Sequence, residues 1–351
     1  MNSQSENHVE SNPLAWELVG IIILAIRFAQ GWIFWAGGSR RFIYAPYKLD
    51  PSSSTWLANK LQSTMPGALL GTGSIISFML QHFLLLYISL IVFSLVELIS
   101  GVGLLFGAFT RLFAFITILF SLILMIAFGR QGTACLDEWT VSVCTFSMGI
   151  TLFLSGASSY SIDQVLLRKY PEWGSQSWFR LLGSGPWAFF NIKFVALIML
   201  VITMIFTLGT YNYYRGAILS RYHAAPVSPT TFNIQLSEGK LYTDGAVEFM
   251  LYVDAGPQAA SMYIVSIDLI RASKTLATWD NLALSKLPAE NIVNVYDYNK
   301  VKTGPYGLIA PVSAKARIKL PPLMQYDQPT GMYKVSLHTV DGSSYNLTFT
   351  H

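Results

Sequence analysis

The sequence predicts a membrane α-helical bundle of four helices, a fifth anchoring helix, and an exported all-β sandwich domain. Three observations carry this reading. Hydrophobic residues make up 52% of the 351-residue chain and charged residues only 12%, about half the ~25% of a soluble domain. Apolar stretches close to the ~20 residues of a spanning helix recur up to Leu208 and then stop. Beyond Arg221 the pattern changes to short β-branched and aromatic runs punctuated by turns. An aromatic content of 14% and a mean hydropathy of +0.44 exclude disorder and argue against a soluble enzyme. A net charge of +4 is too small to point to nucleic acid. Two cysteines exclude a disulfide framework, and five scattered histidines give no metal-ligand spacing.

The first expected span runs from Trp16 to Ala36 and contains Glu17, Arg27 and Gln30. The second runs from His82 to about Leu105 around Glu97, and the third, Phe113 to Phe128, is uncharged. Val141 to Leu154 is short and spans only if its helix begins near Asp137. Phe194 to Leu208 is the fifth. No basic region precedes the first segment, so it does not read as a signal peptide. The connection Gly37–Gln81 is long, basic at its start (Arg40, Arg41, Lys48) and then rich in Ser, Pro and Gly. Gly107–Arg111 is a tight turn, a surface helix is expected over Asp163–Lys169, and Gly183–Pro186 reads as a seam. The domains expected are 1–183, the bundle; 184–221, the anchoring helix and linker; and 222–351, the sandwich. Its strands are expected at Phe232–Leu236, Val247–Val253, Tyr263–Ile270, Ile292–Tyr298, Ala316–Leu320, Tyr333–Val340 and Tyr345–Thr350, with turns at Asp244-Gly245 and Asp341-Gly342.

Arg168, Lys169, Arg180 and Lys193 precede the fifth helix and fit a cytoplasmic loop. This orientation makes a multi-pass plasma-membrane protein with its amino terminus inside and its β domain outside. The sequon Asn346-Leu347-Thr348 agrees weakly with export. Arg40, Arg41 and Lys48 then sit outside, against the positive-inside rule. Either the orientation is inverted, or these cations remain outside because they bind an anion there.

The densest chemistry lies in Arg130–Trp139, which holds a cation, Cys135, Asp137, Glu138 and an indole, with Cys144 following. Asp137 and Glu138 suit the first turn of the fourth helix, facing the positive end of its dipole. Each cysteine taken alone reads as a small buried hydrophobe; taken as a pair near one membrane face they admit a redox role. Nine helical residues span ~13 Å, beyond the ~7 Å limit for a disulfide, so Cys135 reaches Cys144 only if the preceding loop folds back. Arg27 and Glu97 in apolar segments either pair with one another or serve a substrate, a quinone oxygen or proton transfer. His82 is a proton donor or an interfacial polar residue. Trp32, Trp35, Tyr44, Trp56 and Trp139 form an interfacial belt.

From Gly31-Trp32 through Trp35-Ala36-Gly37-Gly38-Ser39-Arg40-Arg41, then Pro46-Tyr47-Lys48-Leu49-Asp50-Pro51 and Met65-Pro66-Gly67-Ala68, the sequence resembles the DoxD subunit of archaeal thiosulfate:quinone oxidoreductase, within the wider DoxX-like membrane family. From about Ser184 onward it looks like the companion DoxA subunit. The resemblance implies a natural DoxD–DoxA fusion that oxidises two thiosulfates to tetrathionate and reduces a membrane quinone such as caldariella quinone, in a thermoacidophile with an aerobic quinol oxidase. No metal, flavin or haem is expected. The roles that follow are Cys135 and Cys144 as a thiol–disulfide relay, with Glu97 or His82 supplying protons; Arg40, Arg41, Lys48, Arg130 and Trp139 at thiosulfate; and Arg27, Gln30 and Trp35 at quinone. Expected partners are thiosulfate, quinone, the bilayer, a quinol oxidase complex and a second copy of the chain. The competing reading is a non-catalytic structural subunit of a terminal quinol oxidase.

Overall fold

The computed structural model describes residues 13–45, 47–53, 55–131, 137–187, 189–216, 228–322 and 330–351. These fall into two compact units that interleave along the chain: 1–56, 87–129 and 138–222 in one, and 57–86, 130–137 and 223–351 in the other.

The first unit is helical. Helices α1 (Pro13–Ile22) and α2 (Leu24–Phe42) together fill the first expected span, but they are bent by 48° at Ile23. Arg27 is therefore in the first turn of α2, not at the middle of a straight span. After α3 (Leu57–Thr64) and α4 (Thr72–Leu80), which belong to the other unit, α5 (Phe83–Phe106), α6 (Thr110–Phe128) and α7 (Glu138–Ser155) follow. Small residues bring α2 and α5 together: a Cβ on Gly31 would meet the Leu105 backbone at 2.8 Å, and one on Gly38 the Leu98 backbone at 2.8 Å. This is how helices approach closely where no hydrophobic effect drives them. Among the described residues, three helices are long and apolar enough to cross a membrane (α5, α6 and the later α10), or four if the bent pair counts as one.

Helix α7 fails that test because it is rich in hydroxyls, yet it packs along α6 with Phe146 and Leu152 fully buried. Its hydroxyls are satisfied within the helix: Ser142, Thr145, Ser147, Thr151 and Ser155 each donate to the carbonyl four residues earlier. These five hydroxyls are thereby compatible with an apolar environment.

Helices α8 (Ile162–Lys169) and α9 (Ser177–Leu182) close the end of the bundle where α6 begins, and α10 (Phe189–Arg215) is the expected fifth helix. None of the central window of α10 is buried; the helix is fastened near its end, where Trp139 Nε1 donates to Thr210 Oγ1 at 2.8 Å and Tyr214 Oη to the Ile126 carbonyl at 3.1 Å.

The second unit is an antiparallel sandwich carrying α3 and α4 on it. Its described strands are β1 (Asn233–Leu241), β2 (Val247–Ala255), β3 (Ser261–Arg271), β4 (Lys274–Trp279), β5 (Ile292–Asn294), β6 (Lys302–Gly304), β7 (Gly307–Pro311), β8 (Lys315–Leu320), β9 (Met332–Thr339) and β10 (Ser344–Thr350), with α11 (Asn281–Ser285) between β4 and β5. One sheet runs β1-β2-β8-β5; the other runs β10-β9-β3-β7-β6, with β4 also paired to β3. Phe249, Leu251, Ile264, Leu269, Ile318 and Leu337 fill the space between them at zero exposure. The two expected Asp-Gly turns form as read, with φ of 90° at Gly245 and 84° at Gly342. The hairpin joining β3 to β4 has no such signal. Ala272 and Ser273 adopt φ of 46° and 65° there, so β4 was not read from sequence, nor were β6 and β7.

The expected loop 57–81 is instead two helices locked to the sandwich. Gln62, fully buried, donates to the carbonyls of Asn299 and Ser313 at 3.2 and 2.9 Å and accepts from Asn299 N at 2.8 Å. Ser77 and Tyr296 share a hydroxyl bond of 2.8 Å.

Candidate functional site

Buried charge in the helical unit collects at its two ends, and the two collections differ. Where α6 begins, Phe109 stands in the left-handed region with no side-chain cap of its own. The cap comes from α8: Asp163, at zero exposure, accepts from Phe109 N at 2.7 Å, Thr110 N at 3.0 Å, Thr110 Oγ1 at 2.9 Å and Ser184 Oγ at 2.6 Å. Two buried arginines lie in its field. Arg27 donates to the carbonyls of Ser159 and Tyr160 at 3.2 and 2.6 Å. Arg111 donates to those of Phe153, Arg180 and Gly185 at 3.0, 2.5 and 2.8 Å and lies over the Trp187 ring. The Gly183–Pro186 seam is thereby pinned rather than loose. Arg27 bonds the Ser159 and Tyr160 carbonyls and lies in the field of Asp163 rather than pairing with Glu97.

At the opposite end of α2, Glu97 pairs with Arg41 instead. Arg41 also reaches Ser94 Oγ at 3.4 Å and lies over Phe93 at 5.5 Å. A Cβ on Gly37 would overlap Glu97 Oε1, so the glycine makes room for the carboxylate. Arg41 Nε is buried without an acceptor among the described residues. Lys48 is half-buried within electrostatic range of Glu97, and Arg40 is exposed. The rings of Phe28, Trp32 and Trp35 on α2, and of Tyr44 just past its end, form a ladder with successive centroids 6.1, 4.8 and 6.2 Å apart. Deeper in the bundle Gln30, fully buried, donates to the Thr145 carbonyl at 2.9 Å while its Oε1 has no donor among the described residues; Thr145 Oγ1 and Ser121 Oγ are 2.8 Å apart.

The remaining expected residues lie elsewhere. Arg130 is in the other unit, 3% exposed, donating to the carbonyls of Ser63 and Ser228 at 3.0 and 3.1 Å, while Gln131 bonds Ser63 Oγ at 2.9 Å. Trp139 faces α10, edge-on to Tyr211 at 5.0 Å. Glu138 opens α7 as expected. Cys144 is a free, exposed thiol on α7, and Cys135 lies outside the described residues. His82 is exposed just before α5, its Nδ1 2.8 Å from the Phe78 carbonyl. Among the described residues no three His, Cys, Asp or Glu side chains group as metal ligands.

The family model described as "TQO small subunit DoxD" matches residues 22–201, and "TQO small subunit DoxA" matches 214–348. The chain belongs to the DoxD family, and it is a DoxD–DoxA fusion. The DoxD match holds both charge clusters and continues into α10; the DoxA match takes in the sandwich. Segment 57–86 of the DoxD match thus packs in one compact unit with the DoxA part. Among solved structures, a chain of the Iho670 flagellar-like filament is similar at a TM-score of 0.20 and 8% identity, over 46% of this chain and 97% of that one; so weak a likeness bears on neither fold nor function.

Proposed function

We propose that this DoxD–DoxA chain oxidises thiosulfate and passes the electrons to a membrane quinone, with the acceptor site at the Arg41–Glu97 pair. Two thiosulfate anions each give up one electron and join through a new sulfur–sulfur bond as tetrathionate. The two electrons, with two protons, convert quinone to quinol.

The observation that carries this reading is the buried, partnerless Arg41 Nε beside the carboxylate of Glu97. A quinone oxygen is a neutral acceptor and needs a donor; Arg41, its charge offset by Glu97, offers a donor without a large net charge. The Trp32–Trp35 rings supply an aromatic surface against which a flat ring stacks. Arg41, Glu97 and Trp35 would hold the quinone, which when bound supplies the two-electron acceptor. Arg41 orients the acceptor oxygen and stabilises charge developing there. Glu97 holds and moves a proton to that oxygen, and Gly37 keeps its path clear. Arg40 and Lys48 supply positive charge for the thiosulfate dianion; a guanidinium keeps that charge at any pH. In this reading electrons pass directly from the paired sulfurs.

The purified full-length chain, given thiosulfate and a decyl-quinone, is expected to bleach the quinone without any other protein. Failure to do so under conditions where it is folded sinks the reading and favours the non-catalytic oxidase subunit.

A further inference from the structure

Segment 57–86 and the sandwich enclose a cleft of about 480 Å³, within the ~300–1,000 Å³ of small-molecule sites. Its polar side is Ser74, Ser77, Gln81, Tyr252, Tyr296 and Lys315; its apolar side includes Met65 and Phe78. The lining contains one cation and no carboxylate. The nearby carboxylates are already engaged: Asp254 by Asn233 and Gln235, Asp297 by Lys300.

Strand register puts the key pair together. Tyr252 on β2 stands opposite Lys315 on β8, so both side chains leave the same face of the sheet, and the Lys315 ammonium lies 5.9 Å from the Tyr252 ring centre. Burial pushes the Tyr252 phenol up to about 12, helped by Tyr296 and the Asp254 charge and opposed first by Ser313 and then by Arg130; the hydroxyl remains a hydrogen-bond donor at any physiological pH. Helix α4 begins without a side-chain cap, and Gly73 and Ser74 of its first turn line the cleft. That turn brings the positive end of the helix dipole to the cleft; its Thr72 and Ser74 N–H groups already donate to the Leu69 and Gly71 carbonyls at 3.0 and 3.1 Å.

We propose that this cleft is a second binding site, for a sulfur oxoanion. Lys315 and the hydroxyls of Ser74 and Tyr252 take the sulfonate oxygens, and Met65 and Phe78 lie against the soft sulfane sulfur. The split lining matches an anion with one hard and one polarisable end. The proposal rests on the thiosulfate reading only for the identity of that anion.

The test is equilibrium dialysis of radiolabelled thiosulfate against the full chain in detergent, in an R40Q/K48Q background that isolates the cleft. Binding is expected to persist there, to weaken at least ten-fold on adding Lys315→Gln, and to return with Lys315→Arg. Tyr252→Phe and Ser74→Ala, which keep the packing, should each weaken it several-fold, and sulfate should compete poorly. Equal binding by Lys315→Gln, or equal competition by sulfate, overturns the proposal. Binding that depends on Lys315 in a chain unable to reduce quinone sinks the enzymatic reading and leaves the cleft standing.

Discussion

The two ends of the helical unit bury charge to opposite effect. Where α6 begins, Asp163 accepts four hydrogen bonds and Arg27 and Arg111 spend their donors on backbone carbonyls. At the far end of α2, Arg41 and Glu97 hold each other, and one guanidinium nitrogen has no acceptor among the described residues. Both sets are charged and buried. Hydrogen-bond accounting separates the two: the first end turns its charge onto backbone, and the second keeps a buried donor with no acceptor among the described residues.

Four substitutions would break or sharpen that contrast. Asp163→Ala removes the cap of α6 and leaves two buried arginines without a counter-charge, so a loss of about 3–5 kcal/mol is expected, read as a collapse in folded yield and melting temperature. Glu97→Gln should add a functional loss to a similar structural one: about 10²–10⁴-fold slower quinone reduction per folded molecule, with a stability loss of up to about 3–5 kcal/mol as Arg41 loses its counter-charge. A Glu97→Gln protein that turns over normally would make both ends structural. Arg27→Met should lower the melting temperature while turnover per folded molecule stays unchanged; a selective fall in turnover would restore Arg27 to the quinone. Cys144→Ser is expected to change neither quantity, and loss of thiosulfate-dependent turnover would revive the sulfur relay.

Much of this was legible in the sequence because it depends on local pattern. Apolar runs marked the spans, Asp-Gly pairs marked two hairpins, and the Gly31–Arg41 stretch carried the family. Arg41 and Glu97 both stand out in the sequence, and a pair with Arg27 is one of the two readings open to Glu97. Taking Trp16–Ala36 as one straight helix keeps that pair open; the bend at Ile23 moves Arg27 to the end where Gly107 and Ser159 lie. Asp163 was invisible as a cap because it serves a helix that starts 53 residues before it. The Tyr252–Lys315 cleft depends on 57–86 being helical and docked, whereas Ser, Pro and Gly in that stretch read as loop.

The clasp made by Gln62 has a consequence for how such a protein is assembled. Family models that cover separate parts of the chain meet at Gln62 on one side and Asn299 and Ser313 on the other. Joining the two parts in one polypeptide turns that meeting into an intramolecular event at an effective concentration of order millimolar. The same contacts, made between separate polypeptides, would have to hold at the concentration each reaches in the cell. Fusion thus relaxes selection on the strength of the clasp, and unfused versions are expected to carry a tighter one.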